Sequence, residues 1–320
     1  MSTAIRHTTA ARLHEPGRPL AVEQVELAPA GDGELLVELH YAGVNPVDIY
    51  MAEGRVAGEA PRPRTLGSEA AGTVEGRPVL VAGAGLGAMR DGVWASAAVV
   101  PADAVIELPD GVAPQVAAAM GVAGLTAYKC VREVAAVTDA DRVLVLGAAG
   151  GVGSVIVSYA RAVGATRVVG QTASQPKAQL IERQGADRVV VCDAAGLLEA
   201  IGELEPTVVF DPLGGEFLAP AVEALAPAGR IVSFGTSAGA QVSFNLQTLY
   251  RKGASIRGYA GLRLGQQERR EGLQAALQAL ARGEMRVPID AVLALGEVDE
   301  AIARLKRREV QGKLLLDLRA

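Results

Sequence analysis

The pattern of apolar and polar residues along this chain of 320 residues changes near position 120. Before that point, short apolar runs are separated by Gly and Pro clusters at short intervals, which is typical of β-strands and turns. After it, short apolar runs alternate with segments that are apolar at helical spacing. The sequence therefore predicts a β-rich N-terminal region followed by an α/β region, a doubly wound parallel sheet with helices on both faces.

The elements of the second region can be placed individually. Strands are expected at Val143–Leu146, Val168–Gly170, Val189–Val191, Val208–Phe210 and Ile231–Phe234. Helices are expected at Ser154–Val163, Pro176–Gln184, Gly196–Gly202 and Glu216–Leu225.

The repeat of strands and helices ends near Tyr259. A long helix (Gln266–Arg282), a polar helix (Val298–Arg308) and a final strand (Lys313–Leu318) follow without extending it. We expect these elements to return to the first domain. The predicted domains are therefore residues 1–120 completed by 259–320, and residues 121–258.

A glycine-rich turn directly follows the first strand of the second region. Strand, glycines and helix in this order leave the backbone N–H groups of a helix N-terminus facing a pyrophosphate without side chains in the way. A second glycine series, Gly83–Gly87, also follows a strand, but no helical segment comes after it, so we interpret it as a turn. The first turn predicts a dinucleotide site at Gly147, Ala148, Ala149, Gly150, Gly151, Val152 and Gly153.

The end of the second strand indicates which dinucleotide binds. An NAD site usually has Asp or Glu here to hold the ribose 2′-hydroxyl. This chain has no acid in the stretch Val169–Lys177; Thr172, Ser174 and Lys177 supply hydroxyls and a cation that suit a 2′-phosphate. The sequence favours NADPH, although Lys177 could also be a solvated charge at the start of the next helix.

Composition narrows the class of protein. The net charge of −5 and an aromatic content of 3% offer neither a basic face nor stacking platforms for nucleic acid. No apolar run has the length of a membrane span, and residues 1–12 lack a signal-peptide core, so we expect a cytoplasmic protein without a membrane partner. Two cysteines, Cys130 and Cys192, cannot form a disulfide framework or a four-cysteine zinc site.

Several ordered motifs resemble the medium-chain dehydrogenase/reductase superfamily and, within it, the zinc-free quinone oxidoreductases related to zeta-crystallin. They are Ala42–Tyr50, Leu66–Gly72, Ala123–Tyr128, Gly147–Gly153, Phe210–Gly215 and Gly229–Gly235. The resemblance covers almost the whole chain. It implies a GroES-like β-rich catalytic domain, a Rossmann cofactor domain, and a homodimer joined through the edges of the Rossmann sheets.

The resemblance also bears on the metal and the catalytic residues. Zinc-dependent members hold their metal with Cys and His, whereas the matching positions here are Asn45, Ser68 and about Val122, so we expect no metal. Asn45 and Tyr50 match residues that line the substrate cleft, and they are the candidates for oxyanion contact and proton relay. Alternatively, Asn45 is a turn residue before Pro46, and Tyr50 packs the barrel.

Further site residues are implied in the cofactor domain. Thr126 matches a position near the cofactor, with a helix N-cap as its alternative role. Phe234 and Gly235 match the strand end beside the nicotinamide. Cys192 stands where a tyrosine often clamps the 2′-phosphate, which leaves that contact to Ser174 and Lys177.

The chemistry that fits a metal-free site is conjugate reduction. Fixed hydrogen-bond donors can stabilise the enolate charge that grows on a carbonyl oxygen, whereas alcohol oxidation requires a strong Lewis acid or a base. We therefore expect a zinc-independent NADPH oxidoreductase that reduces a small molecule, either a quinone or the C=C bond of an α,β-unsaturated carbonyl. Two alternatives stay open: a dedicated enoyl-thioester or biosynthetic tailoring reductase, and a non-redox NADPH-binding protein.

Overall fold

A computed structural model describes residues 6–56 and 61–319 of the chain. Within these ranges, the strands are β1 Arg6–Leu13, β2 Ala21–Leu27, β3 Glu34–Val44, β4 Arg64–Thr65, β5 Glu69–Val74, β6 Arg77–Ala82, β7 Ala97–Pro101, β8 Val105–Glu107, β9 Arg142–Val145, β10 Arg167–Thr172, β11 Arg188–Val191, β12 Val208–Asp211, β13 Arg230–Ser233, β14 Ser255–Gly258, β15 Ile289–Ala294 and β16 Lys313–Asp317. The α-helices there are α1 Pro46–Ala52, α2 Pro114–Ala117, α3 Ala123–Tyr128, α4 Gly151–Ala162, α5 Ala178–Arg183, α6 Leu197–Ile201, α7 Leu218–Ala224, α8 Leu246–Arg251, α9 Gln266–Ala281 and α10 Val298–Lys306.

The chain divides into two units, each with its own apolar core. The first takes its described residues from Met1–Val122, Gly265–Ala281 and Ile289–Ala320, and the second consists of Ala123–Leu264 and Arg282–Pro288. Strand side chains fill both cores. Burial of such apolar surface is the main favourable term in the stability of each unit.

The second unit is built on a six-stranded parallel sheet, all of it within the described residues. The strand order is β11-β10-β9-β12-β13-β14, and every neighbouring pair is parallel. Val143, Leu144 and Val145 of β9 are all completely buried, as a central strand covered on both faces requires. The prediction of a doubly wound parallel sheet is confirmed, and its topological switch point lies between β9 and β12.

Features of this unit that differ from the expectations include the edge strand β14, the helix α8 and the start of α5. The edge strand β14 was missed because Ser255–Gly258 contains only one apolar side chain, Ile256, and an edge strand needs little burial. The helix expected from Pro176 begins as a 3₁₀ turn at Gln175–Lys177, and α5 starts only at Ala178.

The first unit is rich in β-structure, as expected. Within its described residues, a seven-stranded sheet has the order β15-β16-β3-β5-β6-β8, with β7 paired to the beginning of β3. A three-stranded sheet in the order β2-β1-β4 accompanies it. The strand β16 runs antiparallel to β3 and places Leu314 opposite Val44. The C-terminal part of the chain thereby comes next to the β3–α1 junction.

Across residues 6–56 and 61–319, every helix is too short or too polar to cross a bilayer. The longest, α9, carries charged residues along much of its first half.

Candidate active site

The glycine-rich turn of the second unit has the geometry of a dinucleotide cradle. It links β9 to α4, and the Gly150 N–H closes it by donating to the Gly147 carbonyl at 3.0 Å. A Cβ on Gly153 would lie 2.5 Å from that same carbonyl oxygen, so only glycine lets the first turn of α4 pack so closely. The first N–H groups of α4 have no intrahelical acceptor. They therefore suit a pyrophosphate.

The loop after β12 forms the neighbouring part of this site. Asp211 is buried, and its Oδ1 accepts from the backbone N–H groups of Leu213 and Gly214 at 2.8 and 2.9 Å. Burial raises the pKa of Asp211, while these two hydrogen bonds oppose the shift. The Leu213 side chain comes close to Gly147. The cradle thus lies at the switch point, where α/β sheets bind their ligands.

Gln171 holds the glycine turn in place, and sequence reasoning missed it. Its side chain is 1% exposed on β10. Oε1 accepts from the Gly147 N–H at 3.0 Å, and Nε2 donates to the Cys192 carbonyl at 2.7 Å. The signal in the sequence was a polar amide inside an otherwise apolar strand. Because Gln171 uses both ends of its amide, it connects the ends of β9, β10 and β11.

The three residues predicted for the 2′-phosphate follow β10, but their surroundings differ. Thr172 is buried, and its Oγ1 accepts from the Ser174 N–H at 3.2 Å, which makes it part of a local turn. Ser174 and Lys177 are half-buried, and the Lys177 N–H donates to the Ser174 carbonyl at 3.0 Å. Ser174 and Lys177 thus have side-chain surface for a ligand that Thr172 largely lacks.

Phe234 and Gly235 directly follow β13 at the same carboxyl edge of the sheet. The Phe234 N–H donates to the Asp211 carbonyl at 3.0 Å. A Cβ on Gly235 would lie 2.6 Å from the Pro212 carbonyl oxygen, so the two strand ends approach closely. Thr126 lies inside α3, which packs against α4. The N-cap alternative for Thr126 is therefore wrong.

In the first unit, Asn45 caps the N-terminus of α1 and is buried. The Asn45 carbonyl accepts from the Asp48 N–H at 3.0 Å, and Asp48 Oδ2 accepts from the Asn45 N–H at 2.8 Å. This reciprocal pair is a capping box, in which a side chain satisfies a backbone donor at the helix start. Asp48 thereby fixes the backbone of Asn45.

The Asn45 side chain belongs to a buried cluster of polar groups. Nδ2 donates to Glu69 Oε1 at 2.7 Å, and Oδ1 accepts from Lys313 Nζ at 2.5 Å. Lys313 Nζ also donates to Glu69 Oε1 at 2.5 Å, and Glu69 Oε2 accepts from the Val122 N–H at 2.6 Å. The side chains of Lys313 and Glu69 are 3% and 0% exposed.

Two glycines make room for the Glu69 carboxylate. A Cβ on Gly43 would lie 2.1 Å from Oε1, and one on Gly121 would lie 2.6 Å from Oε2. Sequence reasoning assigned no role to Glu69 or Lys313. Each is a charged residue at the start of a strand, β5 or β16, and is directly followed by apolar residues. Such a charge at the start of an apolar run signals a buried partner.

Tyr50 lies further along α1, half-buried. The guanidinium carbon of Arg55 lies 4.6 Å from the centre of its ring, a cation–π contact. The Arg55 guanidinium therefore covers one face of the Tyr50 ring.

Two models of known protein families match this chain. Residues 31–110 match the alcohol dehydrogenase GroES-like domain, and residues 151–282 match the zinc-binding dehydrogenase family. Quinone oxidoreductase 1 of Escherichia coli strain K12 is 30% identical, over 96% of this chain and 99% of that protein. The chain belongs to the medium-chain dehydrogenase/reductase superfamily. It is an oxidoreductase of that superfamily's quinone oxidoreductase branch.

Solved structures of the superfamily include a complex with NADPH and a metal-bound enzyme. The mycobacterial protein Rv1454c, solved in complex with NADPH, is 26% identical with a TM-score of 0.85, covering 97% of this chain and 99% of its own. A cobalt- and zinc-bound thermostable alcohol dehydrogenase from Pyrobaculum aerophilum is 28% identical with a TM-score of 0.85, covering 98% and 100%. The superfamily thus includes metal-bound and NADPH-bound members.

The positions that the resemblance matches to zinc ligands carry residues of other types. The matching positions provide the Asn45 amide, the Ser68 hydroxyl and Val122, whereas zinc prefers thiolate, imidazole and carboxylate ligands. The Asn45 amide oxygen already accepts a hydrogen bond from the Lys313 ammonium, a cation of the protein's own.

The Gln171 contacts predict an effect on the cofactor. Gln171→Leu keeps most of the volume but leaves the Gly147 N–H without its acceptor, so we expect the turn to lose definition. Binding of a nicotinamide dinucleotide should weaken about tenfold, which corresponds to roughly 1–2 kcal/mol. Isothermal titration calorimetry measures this, and Gln179→Leu on the exposed face of α5 is the matched control. Wild-type affinity in Q171L would contradict the assigned role.

The burial of Asp48 predicts a pH dependence of stability. Burial raises the pKa of its carboxyl group to about 7, although the hydrogen bond from the Asn45 backbone lowers it. The folded state then binds this proton more tightly than the unfolded chain. The contribution of Asp48 to the free energy of unfolding therefore decreases as the pH rises from about 4 to about 7.

Asp48→Asn keeps an oxygen acceptor for the Asn45 N–H and removes the titration. We expect the free energy of unfolding of D48N, measured by urea denaturation, to decrease less over this pH range than that of the wild type. Asp103→Asn, at an exposed position, is the control. Parallel pH profiles for D48N and the wild type would show that Asp48 does not titrate as described.

Proposed function

We propose that this protein reduces quinones or the C=C bond of α,β-unsaturated carbonyl compounds with NADPH and without a metal ion. The observation that supports this most directly is the amide of Asn45, a hydrogen-bond donor fixed by Glu69 and Lys313. Such a donor can stabilise negative charge on a carbonyl oxygen without a Lewis acid.

The cradle in the second unit supports the cofactor part of the proposal. The bare N-terminus of α4 suits the pyrophosphate, and the absence of an acid between Val169 and Lys177 favours NADPH over NADH. When bound, NADPH supplies a hydride. Ser174 and Lys177 are the residues that we assign to the 2′-phosphate, and Phe234 and Gly235 those that we assign to the nicotinamide end.

The chain's own residues have two tasks in the reaction. Asn45 donates a hydrogen bond to the substrate oxygen, which gains negative charge as hydride adds to the β-carbon or the quinone ring. A proton then completes the product at the α-carbon or the oxygen, supplied by Tyr50 or by water. One hydride and one proton thus reduce the substrate, and NADPH becomes NADP⁺. No step in this scheme requires a metal ligand.

Turnover with a panel of acceptors tests the reaction. We expect purified, chelator-treated protein to oxidise NADPH with a quinone or an enone, and Asn45→Ala to lower the rate about 100-fold. The measurement is the loss of reduced-nicotinamide absorbance, with enoyl thioesters included in the panel. Loss of activity on chelation would overturn the metal-free part of the proposal. Tight NADPH binding without turnover would favour a non-redox role.

Cofactor preference is tested at Lys177. Removing its positive charge in Lys177→Ala should weaken NADPH binding about tenfold and leave NADH binding nearly unchanged, since only NADPH carries the 2′-phosphate. Calorimetric titration with both cofactors measures this ratio. Arg183→Ala removes an exposed charge from the end of α5 and is the control. An equal loss for both cofactors would contradict the assignment.

A further inference from the structure

The buried ion pair of Lys313 and Glu69 costs more than an apolar pair in its place would. Both charges are removed from water almost completely, and desolvation of two ions often exceeds the attraction between them. An ion pair that served stability alone would not need the third contact seen here, from Lys313 Nζ to Asn45 Oδ1. The arrangement places a full positive charge on the oxygen of this amide.

These contacts fix the orientation of the Asn45 amide. Its oxygen faces an ammonium, which only donates hydrogen bonds, and its nitrogen faces a carboxylate, which only accepts them. In a flipped amide, the NH₂ group would face the ammonium and the oxygen would face the carboxylate, so one orientation is strongly preferred. Within the described residues, the hydrogen bonds of this side chain go to Glu69 and Lys313. The amide nitrogen carries two hydrogens, and Glu69 accepts one of them.

The ammonium also changes the amide electronically. A strong hydrogen bond to the oxygen of an amide draws electron density away from its nitrogen, which makes the N–H groups better donors. The effect is larger in a buried, low-dielectric setting than in water. The second Nδ2–H of Asn45 is therefore a stronger donor than it would be without the Lys313 ammonium.

We propose that Lys313 is a positioning residue of the reaction: its ammonium orients and polarises the Asn45 amide, whose second N–H binds the substrate carbonyl oxygen. Positive charge thereby acts on the oxygen through the amide, while Lys313 itself touches no substrate. The inference rests on the proposed function. It narrows the substrates to those whose reduction places negative charge on a carbonyl oxygen.

A double-mutant cycle separates this role from a structural one. We expect Asn45→Ala to lower the single-turnover rate of hydride transfer about 100-fold and Lys313→Met to lower it at least tenfold. Because Lys313 acts through Asn45, adding K313M to N45A should lower the rate of hydride transfer by less than a further factor of two. The Kd of NADPH should stay at the wild-type value in all three variants. Multiplying losses in the double variant would overturn the proposal.

Removal of Lys313 alone leaves Glu69 buried without its counter-ion, so K313M could unfold. The pair variant Glu69→Gln with Lys313→Met removes both charges at similar volume. We expect it to melt cooperatively and still to lose at least tenfold in rate, whereas a wild-type rate would overturn the role of Lys313. Lys306→Met, which breaks an exposed pair with Glu53 in the same unit, is the control and should leave the rate unchanged.

The wild-type protein separates the two levels of the proposal. If the wild-type protein fails to oxidise NADPH with every quinone, enone and enoyl thioester of the panel, both the proposed function and the role of Lys313 are overturned. If it is active but the losses at Asn45 and Lys313 multiply, only the role of Lys313 is overturned.

Discussion

The carboxylate of Glu69 is the interaction on which the site of the first unit depends. It accepts hydrogen bonds from the Asn45 amide, the Val122 backbone and the Lys313 ammonium, which come from three distant parts of the chain. Burial of a carboxylate without such hydrogen-bond partners carries a large desolvation cost. The carboxylate packs closely against Gly43 and Gly121, because a Cβ at either position would overlap its oxygens and displace the charge.

The second unit depends on a different constraint, the close approach of backbone to backbone around its glycine turn. Gly153 packs on the Gly147 carbonyl, and Gly235 packs on the Pro212 carbonyl. These contacts exclude side chains from the ends of β9, β12 and β13. A surface that exposes peptide groups rather than side chains can bind a charged cofactor through N–H donors alone. The side chains of Gln171 and Asp211 accept hydrogen bonds from backbone N–H groups of these turns and hold them in place.

Features of local origin could be predicted from the sequence. The strand β9, the turn after it and the helix α4 were found because their signals lie in one continuous stretch of chain. The edge strand β14 was not expected, since it has no distinct apolar run, and the strand β15 was overlooked although Ala291–Ala294 are all apolar. Their pairing is decided by the strands beside them, which a local pattern does not reveal.

The site residues likewise differ in whether their contacts are local in sequence or come from distant parts of the chain. Asn45 was singled out by resemblance, but its partners were not, because Glu69 and Lys313 meet it only in the folded unit. Gln171 was overlooked for a similar reason: the Gly147 N–H that donates to it and the Cys192 carbonyl that accepts from it follow the neighbouring strands β9 and β11. The positions predicted for the cofactor residues remain predictions. The structure places those after β9, β10 and β13 along one edge of the sheet.

The pairing of β16 with β3 joins the site to the folding of the whole first unit. Lys313 and Asn45 are 268 residues apart in sequence, so their contact requires closure of a very long loop. Until β16 docks, the Glu69 carboxylate lacks the Lys313 ammonium as a partner. Docking of this strand therefore creates the ion pair and the contact with the Asn45 amide in one step. The cluster around Asn45 is thus complete only when the topology of the first unit is complete.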